Sequence, residues 1–249
     1  MIRITSTIKL VFVSFHVVLG VITCTLVFPV SSKKVRYGLI RKWAQILLFY
    51  LRIRVERIGE LPNFRNQTYI LTSNHISWVD IFVIHSLHPV RFVSKSEVRS
   101  WPIFGWLANK SGTLFLERQN RKATHMIGND MVVALREGDS LGLFPESTTS
   151  DGLQILPFKS SMLQPAVSEK TPFVPIALRY YLANGKLNPH IPFVGDMNFV
   201  SSLFGVLKSP RTTVRVAIGN IITPVDVHRR ELAQILEKDT HTLLHEVLQ

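Results

Sequence analysis

The pattern of apolar and polar positions changes character at about residue 52. Residues 10–30 form a run of 21 positions without a charged side chain. As a helix this run would be about 30 Å long, which is enough to cross the hydrocarbon core of a bilayer. The pattern therefore predicts a membrane-anchoring helix. A cleaved signal peptide is the alternative, although its apolar region would be unusually long and no small-x-small cleavage site follows.

A second segment has helical periodicity and two chemically different faces. Its apolar positions are Trp43, Ile46, Leu47, Tyr50 and Leu51, and its polar positions are Arg41, Lys42, Gln45 and Arg52. This favours an interfacial helix with its aromatic face in the headgroup region, and the alternative is a surface helix packed on the domain. We expect a polar turn over residues 31–38. Residues 1–52 would then form a two-helix membrane anchor that either crosses the bilayer or dips into one leaflet.

From residue 53 onward, short β-rich runs alternate with helical patterns. Predicted strands cover 69–73, 91–94, 113–116, 141–144, 173–180 and 214–218, and predicted helices cover 78–87, 101–109 and 121–136, with a last one starting at 223–224. Asn120 and Gly138 are placed to begin and end the helix over 121–136. The alternation predicts one α/β domain over 53–249, with a sheet flanked by helices.

The distribution of charge indicates the kind of partner. Lys and Arg outnumber Asp and Glu by 29 to 17, and the first 60 residues carry +8 of the net +12. Because the basic residues surround the most apolar segment, an anionic membrane surface is a better partner than nucleic acid. The single Cys24 excludes a disulfide within the chain. No histidine has metal-ligand spacing, so we expect neither a metal nor another cofactor.

The segment Asn74-His75-Ile76-Ser77-Trp78-Val79-Asp80 follows an apolar strand directly. On one regular helix, His75 and Asp80 would point about 140° apart. They meet if His75 lies in the strand-to-helix turn and Asp80 lies in the first turns of the helix. Asp80 would then accept a hydrogen bond from one imidazole nitrogen and leave the other nitrogen as a general base.

Three further blocks follow in order along the chain. They read Gly112-x-x-Phe115-x-x-Arg118, Phe144-Pro145-Glu146-Ser147-Thr148-Thr149 and Val174-Pro175-Ile176-Ala177-Leu178. With the His75 block, they resemble the four motif blocks of the glycerolipid acyltransferase superfamily, and of the lysophosphatidate acyltransferase family in particular. Each block alone is weak, and their order and spacing carry the resemblance. It covers about residues 53–220, and the N-terminal helix pair resembles the family's membrane anchor.

The resemblance implies a glycerol-phosphate acyltransferase-like fold and an O-acyltransferase. His75 would be the general base and Asp80 would orient it, while a fatty acyl group moves from acyl-CoA or acyl-carrier protein to a lysolipid hydroxyl. The first candidate acceptor is 1-acylglycerol-3-phosphate, which would give phosphatidate. The domain would lie on the cytoplasmic face of the membrane. The implied substrate-binding residues are Asn74, Lys95, Gly112, Phe115, Arg118, Glu146, Ser147, Thr148, Thr149 and Pro175.

The third block departs from the family pattern at two positions. The family usually reads Phe-Pro-Glu-Gly-Thr-Arg, whereas Ser147 here replaces the Gly and Thr149 replaces the Arg. That arginine is thought to help hold the acceptor's phosphate, and a threonine offers neither its charge nor its bidentate fork. Subfamilies that acylate lyso-ornithine lipid or certain lysophospholipids resemble the Thr-Thr form. The acceptor therefore stays open among these lysolipids.

Two functions of other classes remain as alternatives. Gly138-Asp139-Ser140-Leu141-Gly142 matches the strings of serine hydrolases. A nucleophile elbow needs a strand before the serine and a helix after it, and the predicted order here is the reverse. The other alternative is a catalytically silent lipid-binding membrane protein, against which the complete His75–Asp80 block argues.

Overall fold

N-terminal helices pack on one face of a mixed sheet, and further helices cover the other face. The computed structural model describes residues 2–116 and 121–248, so Arg118 and the predicted cap Asn120 lie outside the described residues. The helices are α1 Ile2–Ile22, α2 Lys33–Tyr50, α3 Val79–Leu87, α4 Phe104–Lys110, α5 Arg121–Arg136, α6 Gln164–Ser168, α7 Phe199–Lys208 and α8 Arg229–Leu248. A π-helical turn, Thr23–Val27, and a 3-10 turn, Phe28–Val30, extend α1.

Seven strands form the sheet in the order β1-β7-β6-β2-β5-β3-β4. They are β1 Ile53–Ile58, β2 Ile70–Ser73, β3 Arg91–Lys95, β4 Leu114–Leu116, β5 Leu141–Leu143, β6 Phe173–Leu182 and β7 Thr212–Ile218. Only β6 and β7 pair antiparallel among these strands. The carboxyl ends of β2, β3, β4, β5 and β6 therefore meet at one edge of the sheet.

The two faces of the sheet carry separate apolar cores. Leu71 and Ile176 point to the face that α1, α2, α3 and α7 cover, while Ile70 and Ala177 point to the face of α5, α6 and α8. Successive residues of a strand point to opposite faces, so a strand buried on both faces is apolar throughout. β6 shows this over its first six residues, which are apolar and buried, before the buried Arg179.

The predicted strands and helices are confirmed, but several boundaries differ. The predicted turn over 31–38 is wrong, since α2 begins at Lys33 and the Ser32 hydroxyl accepts from the Val35 N–H at 3.4 Å. The last helix begins at Arg229, later than the predicted start at 223–224. β1 and α7 were not among the predicted elements.

α2 packs on the domain, which was the alternative to an interfacial helix. Ala44, Leu47 and Leu48 are buried in the contact with α3 and α1. On the predicted polar side, Arg41 Nε and Gln45 Nε2 each donate to the Ser86 carbonyl at 3.1 Å. The apolar stripe of α2 is therefore covered mainly by protein, and part of its polar side contacts α3.

α1 has one face against the protein and one face open. Val13, His16 and Val17 are buried, and the Trp43 indole N–H donates to the His16 carbonyl at 3.1 Å. The open face is apolar and includes Ile8, Val11, Phe12, Phe15, Val18, Leu19, Ile22 and Leu26. The helical segment Thr5–Val30 is 26 residues long and apolar enough to cross a membrane.

Candidate active site

At the end of β2, the side chain of Asn74 makes the hydrogen bonds to β6 that the main chain of a strand residue would otherwise make. Its Oδ1 accepts from the Leu178 N–H at 2.8 Å, and its Nδ2 donates to the Leu178 carbonyl at 3.1 Å. Because the side chain takes over the pairing with β6, the main chain is free to leave the sheet at this point. Asn74 is only 1% exposed. Its side chain therefore has a structural role, and its predicted substrate contact stays a prediction.

The turn after Asn74 brings His75 and Asp80 together, as the sequence predicted. His75 Nδ1 lies 2.9 Å from Asp80 Oδ2. The same oxygen accepts from the backbone N–H groups of Ile76 at 2.7 Å and Ser77 at 2.8 Å. A carboxylate with these neighbours only accepts, so Nδ1 carries the proton and Nε2 is left as the basic nitrogen.

Tyr180 contacts the other oxygen of Asp80, a role that no sequence pattern predicted. Its hydroxyl donates to Asp80 Oδ1 at 2.6 Å, and both groups are buried. Burial, followed by the nearby Asp80 charge, raises the pKa of Tyr180 well above its usual range. Tyr180 therefore stays protonated and donates, and Asp80 receives four hydrogen bonds in a site that excludes water.

The His75 ring lies at the surface of this buried network. It stacks on Phe144 with ring centroids 3.9 Å apart and an interplanar angle of 10°. Its side chain is 18% exposed, whereas that of Asp80 is fully buried. The backbone is fixed as well, since the Ser150 N–H donates to the His75 carbonyl at 2.8 Å and the Phe193 N–H donates to the Ile76 carbonyl at 2.9 Å. The ring is thus preorganised with one edge open.

Glu146 lies behind the catalytic turn and not in an open pocket. One carboxyl oxygen accepts from the His75 N–H at 2.7 Å, and the other accepts from the Leu156 N–H at 3.0 Å. Glu146 is 2% exposed, and this burial raises its pKa to about 7. Glu146 therefore fixes the backbone position of His75, and its predicted acceptor contact stays a prediction.

Ser147 has a left-handed backbone, with φ of 63°. That conformation is strained for a residue with a Cβ, which explains why the family usually has glycine at this position. The Ser147 N–H donates to the Phe144 carbonyl at 2.9 Å, so the strain is located in the tight turn at the end of β5. Ser147 is buried.

We expect Ser147→Gly to stabilise the protein by about 1 kcal/mol, because glycine adopts positive φ without the Cβ clash. The measurement is the midpoint and slope of urea unfolding. Ser201→Gly, in the exposed first turn of α7, is the matched control and should destabilise by about 0.5–1 kcal/mol. A loss of stability in Ser147→Gly as well would contradict the strain at this turn.

The two threonines of the third block differ in their surroundings. Thr148 is exposed, and it can reach a ligand from solvent. Thr149 is half-buried, and its hydroxyl donates to the Phe193 carbonyl in a short hydrogen bond. Thr149 thus connects the third block to a loop that also holds the His75 turn.

Three other predicted site residues lie on or next to strands β3 and β4. Lys95 ends β3, and its neighbour in the register of β4 is Leu116. Gly112 has φ of 89°, and its carbonyl accepts from Arg91 Nε at 2.7 Å. Phe115 lies on β4, with the Arg99 guanidinium 5.9 Å from its ring.

Pro175 is buried inside the sheet. It lies opposite Thr72 in the register of β2 and β6, below the turn that carries His75. Its carbonyl accepts from the Gly219 N–H at 2.9 Å. Pro175 is buried in β6, and its part in substrate binding stays a prediction.

Ser140 lies at the start of β5, at the opposite end of the sheet from His75. Its hydroxyl accepts from the Tyr69 N–H at 3.0 Å, and Ser140 is 5% exposed. The chain enters a strand after Ser140, and no helix follows it there. This geometry lacks the exposed serine of a nucleophile elbow.

An apolar cavity of about 300 Å³ lies between α1, α2, α3 and α4. Aromatic side chains contribute much of its lining, including Trp43, Trp78, Phe82, Phe92, Trp101 and Phe104. Phe92 also stacks on Phe144 at 5.5 Å, and Phe144 stacks on His75. The wall of the cavity is therefore continuous with the aromatic support of the candidate base.

Comparison with known proteins gives the family of the chain. A family model described as "Acyltransferase" matches residues 52–179. A lyso-ornithine lipid O-acyltransferase of Rhizobium meliloti is 35% identical over 86% of this chain and 77% of that protein. A 1-acyl-sn-glycerol-3-phosphate acyltransferase of Neisseria meningitidis is 33% identical over 59% of this chain and 57% of that protein.

A solved structure shows the same fold. The crystal structure of the 1-acyl-sn-glycerophosphate acyltransferase PlsC from Thermotoga maritima aligns with 100% of this chain and 99% of that chain, with a TM-score of 0.71 and 20% sequence identity. At this identity the likeness concerns the fold alone. Since the family model covers just over half of the chain and includes the His75, Gly112, Glu146 and Pro175 blocks, the chain belongs to the acyltransferase family.

Proposed function

We propose that this protein transfers a fatty acyl group from a thioester to the free hydroxyl of a lysolipid, with His75 as general base. The observation that carries the proposal is the 2.9 Å contact of His75 Nδ1 with the buried Asp80, which leaves Nε2 as the basic nitrogen of a ring that is 18% exposed. The family and the named activities of the relatives support the same reaction.

In the proposed mechanism, His75 Nε2 removes the proton from the lysolipid hydroxyl as its oxygen attacks the thioester carbonyl. The tetrahedral intermediate collapses by breaking the carbon–sulfur bond, and the imidazolium returns the proton to the leaving thiolate. No acyl-enzyme forms. Asp80 stabilises the imidazolium, and positioned base catalysis of this kind contributes about 10²–10⁴ in rate.

The oxyanion of the intermediate needs hydrogen-bond donors. The amides of His75, Ile76 and Ser77 are already engaged with Glu146 and Asp80. The candidates are other backbone amides near the motif turns and Lys95, which lies at the carboxyl end of β3, on the same edge of the sheet as the turn. Its positive charge suits an oxygen that becomes negative in the transition state.

The apolar cavity supports an acyl chain as part of the substrate. Its volume of about 300 Å³ is within the range of ligand pockets, and its walls are almost entirely apolar and aromatic. α3 contributes Trp78, Phe82 and His85 along one side, so the cavity runs beside the helix that begins at the catalytic turn. An acyl chain that enters near His75 would be removed from water along α3.

Lysophosphatidate is the first candidate acceptor, since the motif resemblance implies it. Lyso-ornithine lipid, which carries no phosphate monoester, is the second. The third block favours it, because Thr149 provides no cation, and relatives of that name match over 80% or more of this chain. The test of the function is mass spectrometry of the products formed from both lysolipids, with acyl-CoA and with acyl-carrier protein as donors. A folded protein that forms no acylated product with any pair would instead favour the silent lipid-binding alternative.

We expect Thr149→Arg to shift the preference toward lysophosphatidate by about ten-fold to a hundred-fold, because a hydrogen bond to a charged group contributes about 1.5–3 kcal/mol. The readout is the ratio of kcat/KM for lysophosphatidate to that for lyso-ornithine lipid. Thr149→Val is the matched control, since it also removes the bond to the Phe193 carbonyl but adds no charge. An unchanged ratio in an active Thr149→Arg variant would mean that position 149 does not contact the headgroup.

The apolar face of α1 supports a membrane location, and we place the domain on the cytoplasmic side. We expect deletion of residues 1–30 to move the protein toward the soluble fraction and to lower its Tm. The second effect follows because Val13 and Val17 cover part of the core and Lys9 Nζ donates to the Ser209 carbonyl at 2.7 Å. Flotation with neutral vesicles and thermal unfolding give the two readouts. Equal flotation of the truncated and full chains would exclude α1 as the anchor.

A further inference from the structure

A basic groove of about 680 Å³ lies between α2, the end of α3 and β1, apart from the candidate active site. Five arginines line it, namely Arg41, Arg52, Arg54, Arg57 and Arg211. Its other lining residues are apolar or uncharged, so within the described part of the chain no carboxylate lines the groove. Such a concentration of like charge is unfavourable unless an anion occupies the groove.

The arginines are only weakly compensated. Arg54 lies 3.7 Å from Glu56, and Arg57 lies 3.2 Å from Glu60, in pairs that are substantially exposed. Exposed pairs of this kind contribute little. Arg41 donates one N–H to the Ser86 carbonyl and keeps its full charge. The groove therefore retains several guanidinium groups that can bind a phosphate in a bidentate manner.

Arg52 occupies a backbone position that favours glycine. It follows the C-cap residue Leu51 of α2 and has φ of 60°, in the left-handed region. Glycine is the usual residue at this position after a helix. An arginine in this unfavourable backbone conformation indicates a functional role for its side chain, since strained residues concentrate at functional sites.

Aromatic residues connect the groove to the open apolar face of α1. Phe49 lines the groove and is 75% exposed. Its ring lies 5.9 Å from that of Tyr50, which stacks on Phe12 of α1 at 5.3 Å. Phe12 is itself 49% exposed on the face that is apolar enough for a membrane. The surface thus passes from arginines through aromatic rings to aliphatic side chains. A lipid in a leaflet has the same sequence of regions, from its charged headgroup through the interface to its acyl chains.

We propose that this groove binds the phosphate headgroup of an anionic membrane phospholipid that is not a substrate, while the acyl chains of that lipid lie against α1. The inference goes beyond acyl transfer and rests on the membrane association of α1. An acidic protein would also suit the charge, but it would leave Phe49 and the adjoining apolar face without a partner. The bound lipid would fix the depth and orientation of the domain on the membrane.

The test compares two double variants of the full chain in vesicle binding. Arg52→Gly with Arg211→Ala removes two charges from the groove, and Arg230→Ala with Lys238→Ala removes two exposed charges from α8 on the other face. On vesicles that contain phosphatidylglycerol, we expect the groove variant to bind about 25-fold more weakly, or about five-fold per arginine, and the α8 variant to bind like the parent. On neutral vesicles all three should bind alike. Arg52→Gly also removes the left-handed strain, so the groove variant should unfold at the same urea concentration as the parent or a higher one.

Three results would overturn the proposal. Equal weakening by both variants would mean that the overall surface charge attracts the membrane, without a site. If water-soluble glycerol phosphate competed with the vesicles for the groove as well as the lipid does, the groove would be a site for free phosphate. Unchanged vesicle binding with reduced affinity for acyl-carrier protein would assign the groove to the donor. Vesicle binding does not require turnover, so these results are independent of the proposed reaction.

Discussion

His75→Ala is expected to lower kcat/KM by about 10²–10⁴-fold, because it removes the positioned base from the proposed reaction. The fold should survive, since the ring is at the surface of the network and the backbone of the turn is held by Glu146, Ser150 and Phe193. The measurement is release of free thiol from the acyl donor in the presence of lysolipid. Unfolding midpoint and vesicle binding, recorded on the same preparation, show that the variant is folded.

Two control variants make the result specific to His75. His241→Ala removes a histidine from α8, on the other face of the sheet, and should leave the rate unchanged. Ser140→Ala should also be silent, because that hydroxyl only accepts from the Tyr69 N–H at the far end of β5. A folded His75→Ala variant with more than a few per cent of the parent rate would remove His75 from the mechanism. Loss of activity in Ser140→Ala would revive the hydrolase alternative.

The contact between His75 and Asp80 could be predicted because it is local. Both residues belong to one strand-to-helix connection, and an apolar run followed by a helical pattern is enough to place them. The α/β order of strands and helices followed from the same short-range patterns. The common location of the motif blocks at one edge of the sheet came from the fold, because it depends on the order and direction of the strands.

The roles of several motif residues could not be predicted, because their partners are distant in the sequence. Asn74 pairs with Leu178, which is 104 residues away, and Glu146 bonds to a backbone amide 71 residues away. Both look like polar site residues in a motif, yet both are buried and act on the backbone. Only the fold shows that their hydrogen bonds are satisfied within the protein and are not available to a ligand.

Contacts between residues that are distant in the sequence also limit the prediction of the helices. α2 has an aromatic and a basic side, a pattern that fits a membrane interface as well as a protein surface. The choice depends on α1 and α3, which bury Leu47 and Leu48. Tertiary contacts therefore decide between two structures that the pattern of α2 allows equally.

Asp80→Asn should reduce kcat by about 10³–10⁴-fold, similar to the loss seen when the acid of a Ser-His-Asp triad is neutralised. An amide can keep the fold if its oxygen accepts from the Ile76 and Ser77 amides and its NH₂ group donates to Tyr180, whose hydroxyl can accept as well as donate. The negative charge that stabilises the imidazolium is then missing.

Tyr180→Phe provides the graded comparison for Asp80→Asn. It removes the 2.6 Å hydrogen bond to Asp80 Oδ1 but leaves the carboxylate charge in place. We expect this variant to lose about 1.5–3 kcal/mol of stability, as for other hydrogen bonds to charged groups, and to retain activity within about ten-fold of the parent. If Asp80→Asn and Tyr180→Phe reduced kcat equally, the position of Asp80 would matter and its charge would not. A folded Asp80→Asn variant with the parent rate would leave His75 without the orienting partner on which the proposed mechanism depends.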